Sequence, residues 1–367
     1  MLTVGQIVEH LDRFAPKSLA EDWDNVGLLI GDRNAGVSRV MACLTVTPTS
    51  AREAIDRRAE LIVTHHPVLF RPVKRLTADD PQGRMLLDLI RSGIAVYSPH
   101  TAFDNTTGGI NDLLAERLGL RDCKPLRPAP AAARSKLVVF VPQGDLDRVS
   151  RAMFDAGAGV IGEYGECSFR VAGRGTFHGS DASKPTIGQP GRREEVDEWR
   201  LEVICPQPAL QQIVAAMRAA HSYEEPAYDI YPLASEPSRT GAGQYGALST
   251  PTSLEQFAAL VKSCLASPLV QVVGDRGRAV NRVAVACGAA SEFLREALAH
   301  RCDVFVTGEA SFHRQLEADA AGISLIIAGH FATERFAVEG LAEKLSHEFP
   351  ELEIWASMAE REPAWWI

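Results

Sequence analysis

Long apolar runs are missing from this sequence. No stretch approaches the ~20 consecutive apolar residues that a bilayer-spanning helix needs. The first residues, MLTVGQIVEHLDRF, are patterned as an amphipathic helix and not as a secretory leader, so a cytoplasmic protein with no membrane partner is expected. Paired cysteines are missing too. The seven cysteines, Cys43, Cys123, Cys167, Cys205, Cys264, Cys287 and Cys302, are odd in number and form no C-x-x-C, which argues for reduced core thiols over disulfides or a zinc knuckle. Positive charge is in deficit, with 38 Lys and Arg against 47 Asp and Glu. The resulting net charge of -9 makes nucleic acid an unlikely main partner, because coating it requires a clustered basic surface. No G-x-S-x-G nucleophile motif occurs, and the glycines of TTGGIN lack the lysine of a phosphate-binding loop.

What is present is a regular alternation. At 367 residues the chain is long for one core, so two domains, or one domain carrying an insert, are expected. Strand patterns in SRVMACLTV, ELIVT and IAVYS alternate with helical patterns in SAREAIDRRA, GRMLLDLIRSG and GGINDLLAERLG, which predicts βαβ units. CKPLRPAPAAARSK and ASEPSRTGAG, both rich in Pro, Ala or Gly, read as linkers. Between them KLVVFVP, GDLDRVSRAMFDAGAG, CSFRVAGRGTFHG, EWRLEVICP, ALQQIVAAMRAAH and AYDIYPL give the order β-α-β-β-α-β of a ferredoxin-like domain, with CSFRVAGRGTFHG read as a hairpin. The expected architecture is therefore α/β and discontinuous: residues 1–130 and 238–367 form one domain, and residues 131–237 an inserted α+β domain.

The outer parts also repeat each other. RVMACLTVTPTSAREAIDRRAELIVTHHPVLF, from Arg39, aligns without a gap on RVAVACGAASEFLREALAHRCDVFVTGEASFH, from Arg282. Downstream, GIAVYSPHTAFD parallels GISLIIAGHFATE. Each contains a strand that ends in a histidine followed four residues later by a carboxylate, His100 with Asp104 and His330 with Glu334. A duplicated α/β half explains this order of similarities, and the strand ends would converge on a crevice where open α/β sheets place ligands.

Histidines gather at these strand ends. His10, His178, His221, His300 and His347 carry no such context and read as ordinary core or surface residues. His65, His66, Asp104, His330 and Glu334 combine imidazole with carboxylate, a donor set for zinc, iron, manganese or nickel. They are too many for one tetrahedral ion and suffice for two with open positions, with Glu334 the better bridging carboxylate. Glu309 and His313, spaced i, i+4 in VTGEASFH, are a candidate acid/base or supporting pair. Asp22, Asp24 and Asn25 in DWDNVGLLIGD read as a turn, with a role in lining the site left open.

Taken together, WDNVGL, LIVTHHPVLF, HTAFDNTTGGINDLLAERLGL, VTGEASFH and AGHFATE resemble the Nif-three-like family of dinuclear-metal proteins, often labelled GTP cyclohydrolase type 2 homologues. KLVVFVP, AGAGVIGEYGECSFRVAGRGTFHG, PTIGQPG and HSYEEPAYDIYPL are similar to the PII/CutA-like insert of the longer bacterial members. The resemblance implies that His65 and His66 each bind one ion, that Asp104 joins one and His330 the other, and that Glu334 bridges. His100 would lie nearby without being a standard ligand. It also implies a ring-shaped homohexamer, a trimer of dimers, capped by the inserts. One position departs from the family, which has aspartate in an L-D-V-T strand where this chain has Thr45 in LTVT.

Two functions follow from that resemblance. One is a metal-dependent hydrolase of a nucleotide-like substrate, with His100 or His313 carrying the proton. The other is a non-catalytic protein that delivers metal or regulates through the ring.

Overall fold

The computed structural model describes residues 1–130, 133–234, 238–365 and 367. Contacts divide the chain into two compact units, Met1–Ala129 with Ser238–Ile367, and Pro130–Pro237.

The larger unit is a mixed α/β fold built on two sheets. In the first, strand Leu61–Thr64 lies between Arg39–Cys43 and Ala95–Ser98 in parallel register, and Gly27–Ile30 closes the Ala95–Ser98 edge antiparallel. Glu353–Ala356 pairs parallel with the outer side of Arg39–Cys43. In the second sheet, Val304–Thr307 lies parallel between Ala279–Ala286 and Ser324–Ile327, and Gln271–Val273 is the antiparallel edge. The shared arrangement runs from edge strand through three parallel strands, so the two halves match in order and direction.

Local detail repeats with it. Arg58 and Arg301, aligned in sequence, both take left-handed backbone, at φ 56° and 55°. Each stands at a helix-to-strand turn closed by the same bond, Ala59 N to Ala54 O and Cys302 N to Ala297 O. Glu60 accepts from the amides of Ser38 and Arg39, and Asp303 from those of Asn281 and Arg282.

The central strands are buried on both faces, as parallel strands covered by helices must be. Val40, Leu61, Val63, Val283, Val304 and Val306 face one inner core shared with helices Val4–Phe14, Ile110–Arg117 and Leu254–Cys264. The alternate residues face outward, Met41 and Ile62 to the helices beside the first sheet, Ala284 and Phe305 to those beside the second.

The linker expected at CKPLRPAPAAARSK is in part a strand. Leu120–Pro128 pairs antiparallel with Gly241–Ser253 at the edge of the second sheet. Proline is tolerated there because an edge strand need not donate on its outer side. Of the two expected linkers, residues 131, 132 and 235–237 lie outside the described residues.

The smaller unit has one antiparallel sheet in the order Ser168–His178, Arg193–Pro206, Arg134–Pro142, Tyr228–Pro232. Helices Leu146–Asp155 and Leu210–Ala220 cover one face, giving it a core of its own around Leu137, Val139, Leu201 and Ile213. CSFRVAGRGTFHG is not a hairpin in itself; Ser168–His178 is one continuous strand whose partner is Arg193–Pro206. Gly175 serves packing there, since a Cβ would lie 2.0 Å from the Glu198 carboxylate.

Candidate metal centre

The parallel strands of both halves end at a common place, and the turns leaving them carry the polar side chains. His65 and His66 follow strand Leu61–Thr64, and their amides donate to the carbonyls of Cys43 and Leu44 on the neighbouring strand. That pairing fixes the backbone of both. Asp104 lies on the short helix His100–Asn105, while His330 and Glu334 share the one-turn helix His330–Glu334, where i, i+4 spacing sets them on one face.

Glu334 stands at the centre. Its Oε2 is 3.1 Å from His66 Nε2 and 3.1 Å from His330 Nε2. Its Oε1 is 3.9 Å from His65 Nε2, which is in turn 3.6 Å from Asp104 Oδ1. The two histidines of THHP thus address different oxygens of one carboxylate. His66, His330 and Glu334 form a group whose ligand atoms could hold a metal ion, and His65, His66 and His100 form another.

Both ring nitrogens of His65 are buried without a hydrogen-bond partner. Unpartnered buried polar atoms cost free energy in a folded protein unless something else satisfies them. A cation among these atoms would do so, and the nitrogen and oxygen donors suit first-row divalent ions. Burial pushes the His65 imidazolium well below the usual histidine range, so the ring is neutral. Burial also works against the charge on Glu334, but His330, His66 and His65 more than offset it and hold the carboxylate ionised. Neutral imidazole and ionised carboxylate are the forms that bind metal. Asp104 is pushed up to about 7, first by burial and then by the charge of Glu334. Burial opposes charge on His330, yet Glu334 and Glu309 raise it to about 9.

Each imidazole except His65 has a partner on Nδ1 that directs Nε2 inward. His100 Nδ1 is 2.7 Å from Asp24 Oδ1, His330 Nδ1 is 2.6 Å from Glu309 Oε1, and His66 Nδ1 is 2.6 Å from Thr45 Oγ1. Such partners fix tautomer and ring orientation in metal sites. Asp24 is more than a turn residue. Burial raises its pKa, but bonds from His100 and Thr101 outweigh that and bring it to about 2.

Glu309 and His313 do not share a helix face. Helix Phe312–Ala321 begins only after Ser311, whose hydroxyl caps it by accepting from the Arg314 amide. Glu309 belongs to the turn and supports His330, whereas His313 is exposed beside Phe312 and belongs to neither metal-competent group.

Thr45 was singled out in sequence only as a departure from the family pattern, whereas Cys287 and Glu360 are further residues that sequence reasoning did not place. Cys287 Sγ donates to Asp104 Oδ1 at 3.3 Å, and burial drives its thiol pKa far up, so it remains a neutral donor. Glu360 accepts from the Leu44 and Thr45 amides beside His66 and meets Arg335 at 3.2 Å. The aligned turns give the only sequence signal among these, with Thr45 at the departure from the family pattern. Gly288, at φ 64°, has no room for a side chain, since a Cβ would lie 2.2 Å from Glu334 Oε1. Gly308 is equally constrained, a Cβ meeting the Gly288 carbonyl at 2.6 Å. The second half could not carry a histidine where the first has His65.

A fold of paired α/β halves with a histidine and carboxylate cluster at their strand ends defines the class. The Duf34/NIF3 (NGG1p interacting factor 3) family profile matches residues 2–363, and the chain belongs to that family. It is 40% identical over 339 residues to a protein of Halalkalibacterium halodurans named GTP cyclohydrolase 1 type 2 homolog, covering 92% of this chain and 91% of that one. A Bacillus subtilis protein of the same name is 39% identical, with 93% and 91% covered. Among solved structures, a Bacillus cereus protein related to NIF3 is 35% identical and superposes with a TM-score of 0.76, covering 100% of this chain and 99% of the other. A Staphylococcus aureus protein is 28% identical with a TM-score of 0.84 and the same coverage. Among the described residues no helix is long and apolar enough to cross a membrane.

Proposed function

We propose that the protein holds two divalent metal ions at this cluster and acts as a metal-dependent hydrolase on a nucleotide-like substrate. The observation that carries the reading is the division of Glu334, one oxygen toward His65, itself 3.6 Å from Asp104, and the other toward His66 and His330, beside a His65 ring whose buried nitrogens lack partners. His65, Asp104 and Oε1 of Glu334 would hold one ion; His66, His330 and Oε2 would hold the other. When bound, such a pair supplies Lewis acidity and lowers the pKa of water in the open positions toward neutrality. The names of the relatives support a nucleotide as substrate class.

The chain's own residues orient and move protons. Thr45 and Glu309 hold His66 and His330 by Nδ1. His100, braced by Asp24 and with its ring centroid 5.1 Å from that of His65 and 5.6 Å from that of His66, is placed to carry a proton to or from substrate. The protein would act as a cytoplasmic homohexamer, a trimer of dimers, in which residues 131–237 are a ferredoxin-like, PII/CutA-like lid. The strand and helix order of that unit supports the lid's fold.

One observation favours the second reading, metal delivery. The His66 and His330 side chains are 25% and 35% exposed, against 3% for His65, so an ion held there would exchange more readily. To decide, protein loaded with zinc, iron, manganese or nickel is assayed on GTP and a panel of phosphorylated and cyclic nucleotides, beside Glu334→Ala. Metal-dependent turnover lost in the variant supports the hydrolase. Turnover that survives full chelation defeats it, and absence of turnover with rapid transfer of metal to an acceptor favours delivery.

A further inference from the structure

A cavity of about 450 Å³ opens beside the metal cluster, with His66, Asp104, His330 and Glu334 among its lining residues. Its size falls in the range of small-molecule sites, ~300–1,000 Å³. Three rings stand along one wall. Trp23 lies 5.9 Å from Phe70 and 6.1 Å from His100 between centroids, and Phe70 lies 6.3 Å from His100, every pair edge-to-face. Phe293 lines the cavity as well, backed by the Arg127 guanidinium 4.3 Å from its centroid.

Trp23 is 60% exposed and Phe70 46%, an unfavourable state for large apolar rings unless something covers them. The loop that carries Trp23 is nonetheless firmly fixed. Asp24 binds His100 and Thr101, and Asn25 Nδ2 donates to the Leu69 carbonyl at 2.6 Å, which ties the loop to the segment bearing Phe70. A rigid ring held open to solvent beside a reactive centre is preorganised for a flat partner.

The rim chemistry narrows that partner. Glu21 and Glu292 add carboxylates to the lining, and among the described residues no lysine or arginine lines the cavity. A phosphate would find only cations already paired with carboxylates, His330 with Glu334 and Glu309 and, behind Phe293, Arg127 with Glu21 at 3.8 Å, and would have to reach the ions. A neutral heterocycle carrying N–H groups would find acceptors in those carboxylates and stacking faces in Trp23 and Phe70.

We infer that Trp23, with Phe70 edge-on beside it, forms a platform that stacks a planar, N–H-bearing heterocycle of the nucleobase class against the metal centre. The inference deepens the hydrolase reading and rests on it for the reaction, though not for binding.

Guanosine is the probe, because its N1–H and exocyclic amine present two adjacent donors to a carboxylate. Calorimetry is run with guanosine and with ribose 5-phosphate on metal-stripped and metal-loaded full-length protein, with metal content measured on the same samples. Guanosine is expected to bind both forms, to lose at least about tenfold in affinity in Trp23→Ala, and to stay within about threefold in Trp23→Phe. Ribose 5-phosphate is expected to bind only the loaded form and to ignore Trp23. Absence of guanosine binding, or equal binding by Trp23→Ala, overturns the inference even where metal is held. Guanosine binding by a protein that takes up no metal defeats the hydrolase reading and leaves the platform standing.

Discussion

Thr45 shows how a neutral side chain braces a candidate ligand. The hydroxyl still reaches His66 Nδ1, so the ring is held without a charge behind it. Partners of this kind are worth about 10–100-fold in metal affinity. Thr45→Val is therefore expected to weaken binding at the His66, His330 and Glu334 group by about tenfold, read by metal titration, with the thermal transition of the metal-free protein unchanged. Thr45→Asp should tighten it. His65, His66, Asp104, His330 and Glu334 were legible as a set because His65 and His66 follow one strand, and His100 and His330 follow two others with Asp104 and Glu334 four residues on. Glu309, which braces His330, was legible as a candidate support, but the bonds of Asp24 to His100 across 76 residues and of Glu360 to Leu44 across 316 were not, being separations that local patterning does not encode.

Glu53 belongs to the same scale and governs a pH effect away from the site. Burial raises its pKa, but bonds from Ser357, the Met358 and Ala359 amides and Trp355 lower it overall. A carboxyl depressed on folding stabilises above its unfolded pKa, and that stability is lost as pH falls through the lower folded value. Glu53→Gln is expected to cost about 2 kcal/mol in urea unfolding at neutral pH. The gap to the wild type should narrow as pH drops below the ordinary carboxylate range.

At the scale of elements, the duplication is written into backbone geometry. Arg58 and Arg301 occupy left-handed turns that disfavour any side chain, by about 1–2 kcal/mol. Arg58→Gly and Arg301→Gly are expected to be neutral or to stabilise by up to about 1 kcal/mol each, after glycine's own entropy cost is set against the relief. Valine at either position should destabilise, and urea midpoints decide. Strand and helix alternation in this unit was readable because continuous apolar runs mark parallel strands and amphipathic runs mark their cover. Leu120–Pro128 was not readable as a strand, because its prolines signal a linker and only its pairing with Gly241–Ser253 makes an edge strand of it. Likewise the glycines of Ser168–His178 suggest a turn, while the structure uses one of them to admit Glu198.

At the scale of the molecule, the insertion point predicts an outcome. The chain leaves and re-enters the larger unit at neighbouring antiparallel strands, with Gly241 opposite Pro128 and the Ala129 amide donating to the Thr240 carbonyl at 2.9 Å. That is the geometry a two-residue hairpin turn closes. Replacing residues 130–239 by Asn-Gly is therefore expected to leave a folded protein with its metal affinity unchanged within about threefold, since no candidate ligand lies in the removed segment. The excised unit, with its own core, should unfold cooperatively by itself. A change in assembled mass on this deletion, read by light scattering, reports on the lid's part in the proposed ring.

Whether Glu334 joins two ions is decided by metal content from mass spectrometry, with anomalous scattering to place the ions, in wild type and Glu334→Ala after loading. Two ions per chain are expected in the wild type, one near His65 and Asp104 and one near His66 and His330, with both lost from the variant. A wild type that takes up no ion from zinc, iron, manganese or nickel, or a Glu334→Ala protein that keeps both, would contradict that expectation.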